Sequence, residues 1–173
     1  TVFWLAALSQ NTDMLLHLYN TLKNKIEINT ELFLIAEKPN QKILQFIYNT
    51  FKDKINMNVV FMLAVQNANI KVITDLSNTF KDIIDINAQN MEGNTALMVA
   101  LQDNVNVDVI QLLHTIFKNE IDINKQNNNG DTAFMIAARH SDPKIVQFFY
   151  NIFKDASGIN EQSTSVFMFL VQY

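Results

Sequence analysis

The feature that most constrains this chain is that it repeats itself. A tetrapeptide recurs with variation: FWLA at 3–6, FLIA at 33–36, FMLA at 61–64, LMVA at 97–100 and FMIA at 134–137. FMFL at 167–170 reads as a further copy without its alanine. Four to six residues beyond each alanine stands Asn11, Asn40, Asn69, Asn106 or Asp142. Three positions later a second block opens, at Met14, Ile43, Val72, Val109 and Ile145. These blocks align without a gap as MLLHLYNTLK, ILQFIYNTFK, VITDLSNTFK, VIQLLHTIFK and IVQFFYNIFK. Their first, second, fifth and ninth positions are always apolar, and the spacing i, i+1, i+4, i+8 is one face of an α-helix.

The ends of the second blocks carry helix punctuation. Asn or Asp at the start can accept a hydrogen bond from a free backbone N–H. Pro143, after Asp142, suits the first helical position, where no donor is missed. The tenth position is always lysine (Lys23, Lys52, Lys81, Lys118, Lys154), a cation against the negative end of the helix dipole. Each unit closes on Ile-Asn, at 28–29, 55–56, 86–87, 123–124 and 159–160.

The unit is therefore a short helix, a turn, a longer helix and a connector. The small residue closing the first helix (Ala6, Ala36, Ala64, Ala100, Ala137) lets a neighbouring helix approach closely. One such pair cannot bury its own apolar faces, so stacked neighbours must supply a continuous core. Phe51, Phe80, Phe117 and Phe153, at the ninth position, are expected to form a core ladder, each worth about 1.5–3 kcal/mol. The fold class is all-α: an α-solenoid of stacked helix-turn-helix repeats. The units fall near 1–29, 30–56, 57–87, 88–124 and 125–160, with a partial one at 161–173. Val166 to Tyr173 is a first helix with no second helix to cover it, so the chain reads as a segment of a longer protein.

Composition removes several functions. The formal charge is −4, with 13 Lys and Arg of which Arg139 is the only arginine. Phosphate recognition needs clustered cations, so neither nucleic acid nor an anionic membrane is the expected ligand. No apolar run approaches a membrane span. Cysteine is absent, which excludes disulfides, thiolate metal sites and thiol nucleophiles. Asn occurs 23 times, alongside abundant Ile, Lys and Phe, a pattern that fits an AT-rich genome.

Two connectors carry more. Asn90-Met91-Glu92-Gly93-Asn94-Thr95-Ala96-Leu97 is followed by Asn127-Asn128-Asn129-Gly130-Asp131-Thr132-Ala133-Phe134. With Asp85-Ile86-Asn87 and Asp122-Ile123-Asn124 upstream, this resembles the ankyrin-repeat pattern, in which D-x-x-G-x-T-P-L-H leads into helix, turn and helix. The glycine supplies a positive φ at a tip and the threonine caps the first helix. The resemblance implies two full β-hairpin fingers, near 87–96 and 124–133, with shortened connectors elsewhere. The family's histidine is replaced by Met98 and Met135, and its proline by Ala96 and Ala133. It also implies a concave, protein-binding surface of fingers and first helices. By matching to the pattern, the contact positions fall on Met91, Glu92, Asn94, Gln102 and Asp103, and on Asn128, Asn129, Asp131, Arg139 and His140. All ten are expected to be exposed and dispensable for the core.

No catalytic constellation is apparent. His17 and His114 sit at the fourth and sixth positions of second blocks, with no partner at ligand spacing, and read as packing or surface residues. Asp53, Asp82 and Asp155 recur after the lysine as helix-end or turn residues, and Asp82 and Asp85 flank the apolar Ile83-Ile84. No phosphate loop, nucleophile elbow or zinc motif occurs. Met62, Met98, Met135 and Met168 share one phase of the first helix and read as adaptable packing. No cofactor, metal or small-molecule substrate is expected. The expected function is non-enzymatic binding of a partner protein. The alternative is a substrate-positioning segment of a larger enzyme or effector. An RNA-reading solenoid is opposed by the unequal spacings and the acidic balance. The expected location is intracellular, cytoplasmic or nuclear, or the host cytosol for an effector; similar arrays of AT-rich character are frequent in intracellular bacteria and protists.

Overall fold

A computed structural model describes Ala6 and residues 11–22, 41–102, 105–139 and 143–153. Among the described residues there are eight helices and no strand. The chain divides into two compact units, Thr1–Ile84 and Asp85–Tyr173.

The first unit holds α1 (Thr12–Leu22), α2 (Gln41–Phe51), α3 (Met57–Gln66) and α4 (Ile70–Phe80). The second holds α5 (Ala96–Ala100), α6 (Val107–Phe117), α7 (Ala133–Ala138) and α8 (Pro143–Phe153). The first nine residues of each second block lie in α1, α2, α4, α6 and α8, helices of 11 residues each that begin two residues before the block. Their common length follows from common punctuation. Asn11, Asn69 and Asn106 side chains accept the backbone N–H of Met14, Val72 and Val109, at 2.9, 3.2 and 3.2 Å. The lysines fall just outside the last turn: Lys81 and Lys118 are the C-cap residues of α4 and α6. The expected starts Asn40 and Asp142 lie outside the described residues.

Burial follows the helical face read from the sequence. At the second position Leu15, Leu44, Ile73, Ile110 and Val146 are all buried. At the ninth, Phe51, Phe80, Phe117 and Phe153 are buried, at 6% exposure or less. The closing alanines Ala6, Ala64, Ala100 and Ala137 are buried too, which is why only a small side chain stands there. Met14, at the first position of the block in α1, departs from the pattern and is 49% exposed.

Within each unit, buried ninth-position phenylalanines have ring partners that the apolar pattern omits. The sixth-position ring of one second helix packs against the ninth-position Phe of the next. Tyr19 meets Phe51 at 4.8 Å, Tyr48 meets Phe80 at 5.0 Å and His114 meets Phe153 at 5.1 Å. His114 and Phe153 are perpendicular, an edge-to-face geometry favoured by the ring quadrupole. His114 therefore stands where three other repeats place Tyr19, Tyr48 and Tyr150, the third repeat having Ser77 there. Burial, and then the nearby Lys118 charge, hold its pKa below the ordinary 6.5. A depressed folded-state pKa means the unfolded chain binds the proton first as the pH falls. His114 thus withdraws stability below about pH 6.5. His114→Tyr is expected to flatten the fall of the melting temperature between about pH 7 and 5; a parallel fall in both proteins would reject this packing role.

The shortened connector at 56–61 has a clear consequence. Asn56 caps α3 directly, accepting from Asn58 N–H at 3.0 Å, so the helix begins at once and runs 10 residues. Where a finger intervenes, the corresponding helices α5 and α7 have 5 and 6 residues. The connector at 29–33 lies outside the described residues.

Candidate partner-binding site

The two fingers correct one expectation. They are side-chain-closed turns, and no β-strand forms in them. The reason lies in Asn90 and Asn127. Asn90 Oδ1 accepts the N–H groups of Glu92 and Asn94 at 3.0 and 2.9 Å. Asn127 Oδ1 does the same for Asn129 and Asp131, at 3.0 and 2.9 Å. These donors would otherwise feed a strand ladder. Backbone closure is confined to the turn: Asn90 N–H donates to Asn94 O, and Asn127 N–H to Asp131 O, each at 3.0 Å. Gly93 and Gly130 take the positive φ the turn demands, +78° and +81°.

The fingers stack through amide side chains. Asn128 donates its backbone N–H to Glu92 O at 3.1 Å and its Nδ2 to Met91 O at 2.9 Å. Asn127 Nδ2 donates to Asn94 Oδ1 at 2.9 Å, and Gln89 Nε2 to Gln126 O at 2.8 Å. At the base, Asn87 Nδ2 donates to Glu120 O at 2.6 Å while its Oδ1 accepts Asp122 N–H at 2.8 Å. Part of the asparagine excess is therefore structural. An amide is both donor and acceptor, so one residue type can satisfy the two senses of a backbone edge.

Each finger hands the chain to a first helix. Thr95 and Thr132 are buried N-caps, accepting from Met98 and Met135 N–H at 3.4 and 3.3 Å. Met98 adds a contact that the reading as filler missed: its sulfur accepts Thr95 N–H at 3.5 Å. The thioether thus closes a capping box that Glu or Gln usually completes.

Between the fingers and the first helices of the second unit lies an open cavity of about 410 Å³. Met91, Glu92, Asn128 and Asn129 line it from the finger tips, Asn94 and Asp131 from the finger bases, and Gln102 and Arg139 from beyond the first helices. Eight of the ten expected positions thus converge on one concavity, and Asp103 and His140 lie outside the described residues. The sequence missed two further lining residues, Asn127 and Ile136. Asn127 carried a legible signal, since it matches Asn90 in phase.

The lining residues are not equivalent. Met91 is 99% exposed, while Asn94 is only 2% exposed. Asn94 therefore contradicts the expectation of exposure: its Nδ2 donates to Glu92 Oε2 at 2.9 Å and its Oδ1 holds Asn127. It is a floor residue that also builds the stack. Arg139 forms an ion pair with Asp131, so these charges offset one another. Glu92 is exposed, and among the described residues no cation is paired with it. Asp85 and Asp122, exposed carboxylates upstream, accept Asn87 and Asn124 N–H at 2.9 and 3.0 Å, as turn residues do. Among the described residues no group of His, Asp and Glu could hold a metal ion, and no helix is long and apolar enough to cross a membrane.

Comparison with known proteins agrees with this geometry. The family model described as ankyrin repeats (three copies) matches residues 61–162, more than half of the chain. The chain belongs to the ankyrin-repeat family. No curated protein sequence matches it. Among solved structures it is similar to the ankyrin repeat domain of Bcl-3, described as a unique member of the IkappaB protein family. The TM-score is 0.58 at 16% identity, over 86% of this chain and 66% of that one. This chain therefore spans just under two thirds of that domain, and the likeness concerns the fold.

Proposed function

We propose that this chain is a non-catalytic recognition module that binds a partner protein in the groove between its fingers and first helices. The observation that carries the reading is the convergence of chemically varied side chains, six of them exposed (Met91, Glu92, Gln102, Asn128, Asn129 and Arg139), on one concavity whose walls are fixed by the amide stack. A preorganised surface loses little entropy on binding, so modest contacts suffice. Met91 supports the reading directly. A fully exposed methionine at a finger tip is costly to leave in water, and covering it is worth about 1.5–3 kcal/mol.

The test separates contact residues from stacking residues. Met91→Ala, Glu92→Gln, Gln102→Ala and Arg139→Ala combined are expected to abolish partner capture, the glutamine keeping an oxygen acceptor for Asn94. The helical signal should be kept, since exposed substitutions usually cost under about 0.5 kcal/mol each. Asn94 is left intact because it holds the fingers together. Unaltered capture by the fourfold variant would reject the groove as the contact surface.

A further inference from the structure

We propose that this groove, taken as the protein-binding surface argued above, accepts a lysine or arginine side chain of the partner, with Glu92 as the receiving carboxylate. The charge of the chain is distributed unevenly. Residues 85–139 hold seven carboxylates against three cations, whereas residues 1–84 hold seven against eight. The net negative charge therefore sits in the segment that builds the fingers, and a cationic segment is drawn toward it.

Inside the groove, Glu92 is the carboxylate with capacity to spare. Asp131 is already satisfied by Arg139. Glu92 Oε2 is held by Asn94 Nδ2 at 2.9 Å, which orients the group and leaves Oε1 for an incoming donor. An anchored carboxylate loses little freedom when it accepts an ammonium or guanidinium N–H, and such charge-assisted bonds are the stronger kind. Ile136 and Met91 line the same cavity. They offer apolar surface to the aliphatic stem that a long cationic side chain lays down behind its charged head. The exposed amide side chains of Asn129 and Gln102 suit the polar backbone of an extended segment. An acidic partner segment would meet Glu92 unscreened and would have to displace Asp131 from Arg139.

The test uses the full 173-residue chain and a random dodecapeptide display library. Selected peptides are expected to be enriched in Lys and Arg over the naive library. Glu92→Gln keeps an oxygen acceptor for Asn94 and should weaken them about tenfold, the effect of losing one charge-assisted hydrogen bond. Asp108→Asn removes the same charge from an exposed position outside the groove and should leave binding unchanged. Glu92→Lys should turn the selection toward acidic peptides, which keeps the test decisive should the glutamine variant stack less well. Equal weakening by Glu92→Gln and Asp108→Asn would overturn the assignment in favour of general charge attraction. Peptides that protect the groove from hydrogen exchange but are acidic or neutral would overturn this inference and leave the groove reading standing. Peptides that protect only surfaces outside the groove, or no binders, would overturn both.

Discussion

Gly93→Ala is expected to destabilise the second unit by about 3 kcal/mol, whereas Gly130→Ala costs about 1 kcal/mol. The two glycines have the same backbone, with φ of +78° and +81°, and the same place in their fingers. A side chain at either incurs the left-handed penalty of about 1–2 kcal/mol. Their surroundings differ. A Cβ on Gly93 would stand 2.5 Å from Asn128 Oδ1, 2.6 Å from Asn128 N and 3.0 Å from Asn127 C. A Cβ on Gly130 would meet nothing within 4 Å. Two of the three close atoms at Gly93 are backbone, so the second finger has to move. Moving it loosens the Asn128 bonds to Met91 and Glu92 and the Asn127 bond to Asn94. Urea unfolding of the two variants measures the difference; equal losses would mean that the fingers do not stack as described.

Phe149→Ala is expected to cost about 3–5 kcal/mol, and Phe148→Ala, one residue away, less than half as much. Phe149 is 0% exposed, at the fifth position of the second block that lies in α8. Its ring lies 6.0 Å from Phe134 of the first helix α7 and 4.7 Å from Phe153 at the ninth position of the same block. Truncation would open a cavity at the junction of both helices of one repeat. Phe148, at the fourth position, is only half-buried. Other repeats place His17, Phe46, Asp75 and Leu112 there, a mixture of polar and apolar residues that a face tolerant of polarity allows. The loss at Phe149 approaches the whole stability of a marginal unit, so thermal unfolding should begin near ambient temperature. Similar losses at the two positions would contradict the assigned face of α8.

The helical part of the fold was legible because period and punctuation agree. In α6, Val109, Ile110, Leu113 and Phe117 announce the buried face, and Asn106 and Lys118 mark its ends. The fingers were legible in position and misread in kind. N-x-x-G-N-T and N-x-x-G-D-T mark a turn with positive φ, but whether strands flank it depends on what satisfies the backbone. Here the side chains of Asn90 and Asn127 take that role, and period-based reasoning has no term for a side chain standing in for a strand. The burial of Asn94 was hidden for the same reason. An asparagine in a polar turn reads as exposed, and its partner Asn127 lies one repeat away. The Met98 capping contact could not be read because a thioether is a weak acceptor that sequence rules do not count. The sixth-position rings were visible as Tyr19, Tyr48 and His114, yet their role is between repeats, where the pattern within one helix is silent.

The groove claim is tested most directly by cross-linking mass spectrometry on the chain with its captured partner. The account predicts that partner cross-links concentrate in 87–102 and 124–139, on the finger tips and the ends of the first helices. Cross-links confined to the exposed residues of the second helices, such as Gln111, Thr115, Gln147 and Asn151, would place the partner on the opposite face and contradict it.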